Sequence, residues 1–237
     1  MTDRPNRGPG PSRRGFLSGT AATAAGAFAA GEAAAQAAAP RAAPGDLVEV
    51  TFGLNGERVT RGVDPRRTAL DLLREGEGLT GTKVGCRHGQ CGACTIQVDG
   101  APVLGCLTLA AQLEGRTVVT IEGVARTAEA EGIATEDGLH PVQAAFIEHD
   151  GFQCGYCTPG QILSAVAVVN EGHAGSAAEV REYMSGNLCR CAAYPQITAA
   201  VMDAARTIGT PQEGGGARAD YHLGLLESAA AGGGDDA

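Results

Sequence analysis

The sequence of 237 residues predicts an α+β protein in which a strand-rich unit precedes a bundle of short helices. Apolar residues alternate with a period of two between residues 46 and 63, which is typical of strands, and helical spacing replaces this alternation after residue 138. Eight cysteines fall into two groups of four, one in each part of the chain. These observations predict two small domains, each with one four-cysteine site.

The strand-rich unit is expected over residues 46–122 and begins with a hairpin that turns at Asn55-Gly56. Alternate apolar residues lie on one face of its first strand: Val48, Val50, Phe52 and Leu54. Asp64-Pro65 predicts the start of a helix that ends near Gly76 or Gly78, because Asp is a favoured N-cap and Pro fits the first helical position. Further strands are expected at Thr95–Val98, Val103-Leu104 and Val118–Ile121.

The second domain is expected over residues 139–210 as a bundle of four short helices. The expected helices are Pro141–Glu148, Thr158 through Val169, Ser176–Met184 and Pro195–Ile208. Residues 123–138, rich in Ala, Glu, Thr and Gly, are expected to form a linker or surface loop between the domains. Residues 211–237 have low complexity and are expected to form a tail without fixed structure.

Residues 1–45 have the layout of an export signal followed by a linker. Basic residues precede an uncharged stretch from Gly15 to Gly31, and small residues follow it. The stretch is short and weakly apolar, so we expect no transmembrane span. The sequence SRRGFL at residues 12–17 resembles the twin-arginine signal of proteins that are exported in the folded state. We therefore expect the mature chain in the periplasm.

The composition argues against several classes of protein. A formal net charge of −9 and a pI near 5.0 argue against nucleic acid as a partner. Aromatic residues make up only 4% and Trp is absent, which argues against a large aromatic-lined pocket. The 43% of hydrophobic residues excludes a wholly disordered chain.

The first cysteine group consists of Cys86, Cys91, Cys94 and Cys106, spaced C-x4-C-x2-C-x11-C. A C-x4-C-x2-C run followed by a later Cys is the spacing of plant-type 2Fe–2S ferredoxins. Glycines between the cysteines allow the backbone to approach inorganic sulfur closely. A zinc site, a disulfide and a Rieske-type site are less favoured alternatives, since zinc modules usually use two short C-x2-C pairs.

The second cysteine group consists of Cys154, Cys157, Cys189 and Cys191, spaced C-x2-C-x31-C-x-C. Each pair precedes the start of an expected helix, where free N–H groups and the helix dipole stabilise thiolates. The spacing indicates a metal or cluster site and leaves zinc as the chief alternative. A disulfide scaffold is a further alternative, but that class belongs to short chains that lack a core. Export in the folded state also favours a cluster, because clusters are inserted in the cytoplasm.

Three segments carry a family resemblance: GCRHGQCGACT at residues 85–95, GFQCGYCTPG at residues 151–160 and GNLCRC at residues 186–191. Together they closely resemble the small iron–sulfur subunit of the xanthine oxidase/aldehyde oxidase family of molybdenum hydroxylases. The resemblance covers about residues 46–208. The export signal is further similar to that of the periplasmic aldehyde oxidoreductase branch, in which the small subunit carries the signal for the complex.

The resemblance implies a β-grasp 2Fe–2S ferredoxin-like domain followed by a four-helix-bundle 2Fe–2S-binding domain. It implies that all eight cysteines bind iron in two 2Fe–2S clusters. Gln153 and Cys191 match positions that approach the pterin of a molybdenum cofactor, held in a large molybdopterin-binding partner subunit. The helical-domain cluster is then nearer that cofactor. The other cluster passes electrons to an FAD-binding subunit, a cytochrome or another acceptor.

Two positions depart from the family pattern without removing a predicted ligand. Ala192-Ala193 stands where the family often has Thr-Gly, and Arg87 stands where an acidic residue is common. The two cluster domains use up the mature length, so no catalytic residue and no molybdenum site are expected in this chain.

The residues leave other functions open. A free-standing exported ferredoxin-like electron carrier is one alternative, and an exported zinc- or disulfide-stabilised binding protein is another. Only the export signal favours aldehydes as the substrate of the complex. The small subunit of a related purine or N-heterocycle hydroxylase is therefore a third alternative.

Overall fold

The computed structural model describes residues 46–209. The export signal predicted over residues 1–45 and the tail predicted over residues 211–237 lie outside these residues. Within them, a five-stranded sheet is followed by a group of helices. No helix in this described part is both long and apolar enough to cross a membrane.

The sheet is mixed and has the strand order β2-β1-β5-β3-β4. Its strands are β1 (Val48–Leu54), β2 (Glu57–Val63), β3 (Thr95–Val98), β4 (Ala101–Leu104) and β5 (Thr117–Val119). Strand β5 runs parallel to β1, whereas the other neighbouring pairs are antiparallel. The predicted hairpin turn at Asn55-Gly56 is confirmed, and both residues have positive φ, 52° and 86°. Asp99-Gly100 forms the same kind of turn between β3 and β4.

Helix α1 (Ala69–Asp71), which continues as a π-helical turn (Leu72–Gly76), packs on the sheet. The prediction that this helix begins at Asp64-Pro65 is wrong. Thr68 is the N-cap, and its hydroxyl accepts a hydrogen bond from Asp71 N–H over 3.1 Å. Asp64 instead accepts from Arg66 N–H over 2.9 Å and closes a turn before the helix. Asp and Thr are both good caps, and the sequence alone does not distinguish these two uses.

Residues 123–138, expected to form a linker, contain helix α2 (Val124–Glu131). The buried residues of this helix are Val124, Thr127 and Ala128. Only two of them are apolar, so the sequence lacks the longer apolar spacing that indicates a helix. Gly132 ends the helix in the left-handed conformation, with φ at 70°. The segment is therefore packed on the structure rather than free.

The predicted bundle of four helices is confirmed. Its helices are α3 (Pro141–Glu148), α4 (Thr158–Asn170), α5 (Ala177–Tyr183) and α6 (Tyr194–Ile208). Helix α4 packs against β3 and β4 on one side and against α3 and α6 on the other. It is accordingly buried all round from Gly160 to Val169. The start of α4 is thus held between the sheet and the bundle.

His140 is a buried N-cap at the start of α3, with only 1% of its surface exposed. Its ring Nδ1 accepts a hydrogen bond from Val142 N–H over 3.1 Å. The backbone N–H of His140 donates to Gln143 Oε1 over 3.0 Å. Burial lowers the pKa of His140 to about 4, from an ordinary value of 6.5. The folded chain therefore favours the neutral ring.

Acidification is expected to destabilise the chain through His140. The folded-state pKa lies below the unfolded-state value, so the stabilisation is complete above about pH 6.5 and is lost as the pH falls toward 4. Between pH 7 and pH 5 the loss is about 2 kcal/mol. The variant His140→Asn keeps a favourable N-cap but does not titrate. Denaturant unfolding at the two pH values should show a larger loss for the native chain. Equal losses of unfolding free energy in the native chain and in His140→Asn would show that His140 is not the group responsible.

Candidate iron–sulfur sites

Three cysteines of the first group lie in the loop that leads from α1 to β3, and the fourth, Cys106, follows β4. The members of the group are the half-buried Cys86 and Cys91 and the buried Cys94 and Cys106. Backbone groups donate to the sulfurs: Gln90 N–H lies 3.2 Å from Cys86 Sγ, and Cys86 N–H lies 3.4 Å from Cys91 Sγ. A Cβ on Gly85 would lie 2.5 Å from Cys91 Sγ, so only glycine fits there. The loop therefore supplies thiols together with the N–H donors that stabilise thiolates.

Thiols of the first group differ in how readily they ionise. Hydrogen bonds from the backbone N–H groups of His88 and Gln90 lower the pKa of Cys86 to about 6. Burial raises the pKa of Cys94 to about 12, and the hydrogen bond with the Cys106 thiol acts in the same direction. A thiolate at Cys94 thus needs a nearby cation, and a bound metal supplies that charge.

The second cysteine group lies at the starts of α4 and α6. Cys154 is exposed, Cys157 and Cys191 are half-buried, and Cys189 is buried. The hydrogen bond from Tyr156 N–H lowers the pKa of Cys154, and contact with the Cys191 thiol adds to this effect. Burial raises the pKa of Cys157 to about 12, and contact with Cys189 adds to it. As in the first group, one thiol that ionises easily accompanies another whose pKa is raised by burial and that needs a cation.

In both groups the thiols form two contacting pairs. The pairs are Cys86 with Cys91, Cys94 with Cys106, Cys154 with Cys191, and Cys157 with Cys189. A 2Fe–2S cluster takes four thiolates, two on each iron, so two pairs per group fit a binuclear cluster. In residues 46–209, no three His, Cys, Asp or Glu side chains surround one common point, which is the geometry of a mononuclear metal site. None of the eight cysteines, all of which lie in these residues, forms a disulfide.

The two groups are joined directly by one backbone hydrogen bond. Leu188 N–H donates to the carbonyl oxygen of Cys91 over 2.9 Å. Leu188 is the neighbour of Cys189, so the bond connects a cysteine of the first group to the segment that carries the second. Gly160, close to Cys157 on α4, also meets the first group: a Cβ on it would lie 2.3 Å from Gly92 O. Our sequence analysis missed this contact, although the glycines that follow the cysteines signal close backbone approach.

Comparison with known proteins supports two cluster domains in this chain. A family model described as a 2Fe-2S iron-sulfur cluster binding domain matches residues 52–118, and one described as a [2Fe-2S] binding domain matches residues 120–202. The aldehyde oxidoreductase iron-sulfur-binding subunit PaoA of Escherichia coli (strain K12) is 46% identical over 83% of this chain and 89% of its own length. The nicotine 6-hydroxylase small subunit of Paenarthrobacter nicotinovorans is 46% identical over 70% of this chain and 95% of its own length.

Solved structures agree with this match. Quinoline 2-oxidoreductase from Pseudomonas putida 86 superposes with a TM-score of 0.62 and 43% identity, over 69% of this chain and 95% of that one. Aldehyde oxidoreductase from Desulfovibrio gigas superposes with a TM-score of 0.61 and 38% identity, over 68% of this chain but only 17% of its own. The chain is a small iron–sulfur subunit of the molybdenum hydroxylase family.

Membership of the molybdenum hydroxylase small subunits confirms the predicted fold class, a ferredoxin-like domain followed by a helical 2Fe–2S-binding domain. It also confirms the prediction of two 2Fe–2S clusters, with molybdopterin held by partner subunits of the homologous complexes. The assignment of the individual cysteines as ligands stays a prediction, which the paired thiols fit.

In this small subunit, Gln153 lies on an exposed face beside the second group. Gln153 and Cys154 are exposed, and so are Phe152 and Tyr156, with 39% and 49% of their surfaces accessible. The Gln153 side chain makes no hydrogen bond with any residue that the structure describes. The predicted pterin-approaching residues, Gln153 and Cys191, therefore lie at one site, because Cys191 contacts Cys154.

Replacing one buried cysteine in each group is expected to remove one cluster at a time. The native chain should hold about four irons and four acid-labile sulfides. Cys106→Ser and Cys189→Ser should each retain about two irons, because the two groups share no thiol. Iron and sulfide assays, with electron spin resonance of the reduced chain, check this. Loss of all iron in either variant, or zinc in place of iron, would contradict two independent clusters.

Proposed function

We propose that the chain is the iron–sulfur electron-transfer subunit of a periplasmic molybdenum-dependent aldehyde oxidoreductase. Substrate is oxidised in a large molybdopterin-binding partner subunit. Electrons leave through this chain to an FAD-binding subunit, a cytochrome or another acceptor. Each 2Fe–2S cluster, when bound, accepts and releases one electron at a time.

The observation on which this function chiefly rests is the hydrogen bond between Leu188 N–H and Cys91 O. It joins the two cysteine groups through a short run of covalent bonds and a single 2.9 Å hydrogen bond. The backbone around it is buried: Asn187 and Cys189 are each only 7% exposed. The residues on either side of Leu188 are thus packed into the protein, although Leu188 itself is exposed.

We assign the second group to the side of the catalytic partner. Gln153 is exposed beside Cys154 and has no internal partner in the described residues, so its amide is free to bind another molecule. An amide donates and accepts at once, which suits a pterin edge that carries both kinds of group. The exposed rings of Phe152 and Tyr156 give this face the apolar character of a docking surface, which also disfavours a free-standing carrier.

Aldehyde as the substrate class is supported by the length of the PaoA match. That match covers 83% of this chain, whereas the match to the nicotine 6-hydroxylase small subunit covers 70%. The likeness to PaoA therefore extends further into the segments that flank the two domains. The equal identity of 46% to the nicotine enzyme's subunit keeps an N-heterocycle hydroxylase as the second candidate.

Periplasmic location is proposed from the SRRGFL sequence at residues 12–17. A twin-arginine signal suits a chain whose clusters are inserted before export. Arg13 and Arg14, the pair on which the assignment depends, lie outside the described residues.

Gln153→Ala is expected to slow reduction of both clusters by substrate in the assembled complex, with full iron retained. The loss of one well-placed hydrogen bond is worth about 1 kcal/mol, so the rate should fall several-fold. Rapid-mixing absorbance with an aldehyde measures this rate. Gln90→Ala is the matched control, because Gln90 is also exposed and precedes a cysteine, but in the first group. The clusters of the Gln90→Ala variant should be reduced by substrate at the native rate.

Cys86→Ser completes this test, because it removes the first cluster alone. The helical-domain cluster should still be reduced by substrate, while electrons no longer reach the acceptor. The opposite result, in which Cys86→Ser stops that reduction and Gln153→Ala has no effect, would reverse the proposed order.

Replacing both Arg13 and Arg14 by Lys is expected to leave a folded, cluster-loaded chain in the cytoplasm. Lysine keeps the charge but not the guanidinium group. Fractionation of cells followed by immunoblotting measures the distribution. A variant that reaches the periplasm at the native level would show that this signal is assigned wrongly.

A further inference from the structure

Asn187 lies between the two cysteine groups, and its side chain is bonded to both domains. Its Nδ2 donates to Gly92 O over 3.1 Å and to Thr95 Oγ1 over 3.4 Å. Its Oδ1 accepts from Ser164 Oγ over 2.9 Å, and its backbone oxygen accepts from Gln161 Nε2 over 2.9 Å. Asn187 is buried, so each of these bonds is shielded from water.

The backbones around Asn187 touch without space for a side chain. A Cβ on Gly92 would lie 2.6 Å from Gly186 O and 2.7 Å from Asn187 Nδ2. A Cβ on Gly160 would lie 2.3 Å from Gly92 O. Asn187 therefore bonds to the first loop at a point where the backbones of the two domains are in close contact.

This position differs from that of an ordinary domain contact. Gly92 follows Cys91, and the residue after Asn187 donates the hydrogen bond to Cys91 O. Another buried bond between the domains, from Gln97 Nε2 to Leu163 O over 3.1 Å, joins β3 to the middle of α4. The Gln97 bond holds the domains together, whereas the bonds of Asn187 act directly on the segments that carry the cysteines.

We propose that Asn187 is a positioning residue that fixes the separation of the two cysteine loops and so sets the rate of electron exchange between the two clusters. The inference rests on the proposed electron-transfer function. In the exchange, one electron leaves one cluster and enters the other, and no bond forms or breaks. Ser164 and Gln161 hold the Asn187 amide in the orientation that places Nδ2 against Gly92 O.

The test compares variants of the full chain, purified with its clusters and fully reduced. Asn187→Asp keeps the shape but sets an oxygen against Gly92 O in place of the donor. We expect four irons to remain, while the magnetic interaction between the two reduced clusters, seen as splitting and relaxation in electron spin resonance, becomes weaker. Electron exchange between the clusters should slow several-fold. Ser164→Ala removes the donor to Asn187 Oδ1, so it should weaken the magnetic interaction and slow the exchange, but to a smaller extent. If Asn187→Asp loses iron, the result for Ser164→Ala decides the test.

Gln97→Met is the matched control. It removes a buried bond of similar length between the domains, so it should lower stability while the magnetic interaction stays native. The proposal is overturned if the loaded Asn187 and Ser164 variants keep the native interaction, or if Gln97→Met weakens it as much. A native chain without two cluster signals would instead contradict the proposed function, before any variant is compared.

Discussion

Close contact between the two cysteine loops is the constraint on which the rest of the structure depends. Leu188 N–H donates to Cys91 O in a region where Gly92 and Gly160 leave no side chain between the backbones. Each loop is in turn held by its own domain, the first by the sheet and α1, the second by the starts of α4 and α6. The two domains therefore support the two cysteine-bearing loops and bring their backbones into direct contact.

The ionisation of the cysteine thiols is a second constraint on the structure. In each group burial makes one thiol, Cys94 or Cys157, resist ionisation. A more accessible thiol, Cys86 or Cys154, is stabilised as thiolate by backbone N–H groups. Such a donor set is stable when a cation is bound among the sulfurs. The loop glycines and the helix starts thus serve the same purpose, which is to direct N–H groups at negative sulfur.

The sequence was most informative where short-range chemistry decides the structure. Asn55-Gly56 predicted its hairpin, because turn preferences act over a few residues. The cap preference at Asp64-Pro65, by contrast, placed the start of α1 too early. Helix α2 was missed because its buried side has too few apolar residues to show a period.

The part of the site that joins the domains could not be predicted for a different reason. Asn187 meets Gly92 across 95 positions of sequence, and only the packed fold brings them together. The spacing of the first cysteine group, by contrast, indicated a cluster, since four thiolates on two irons leave little freedom in a short loop. The spacing of the second group left zinc open, and the family resemblance implied its cluster.

The most direct measurement of the central claim is the metal content and redox response of the complex purified through a tag on this chain. The account predicts iron and molybdenum in a fixed ratio, in a complex whose iron–sulfur absorbance is bleached by an aldehyde. A native complex that contains iron but no molybdenum, or whose clusters no substrate reduces, would contradict it.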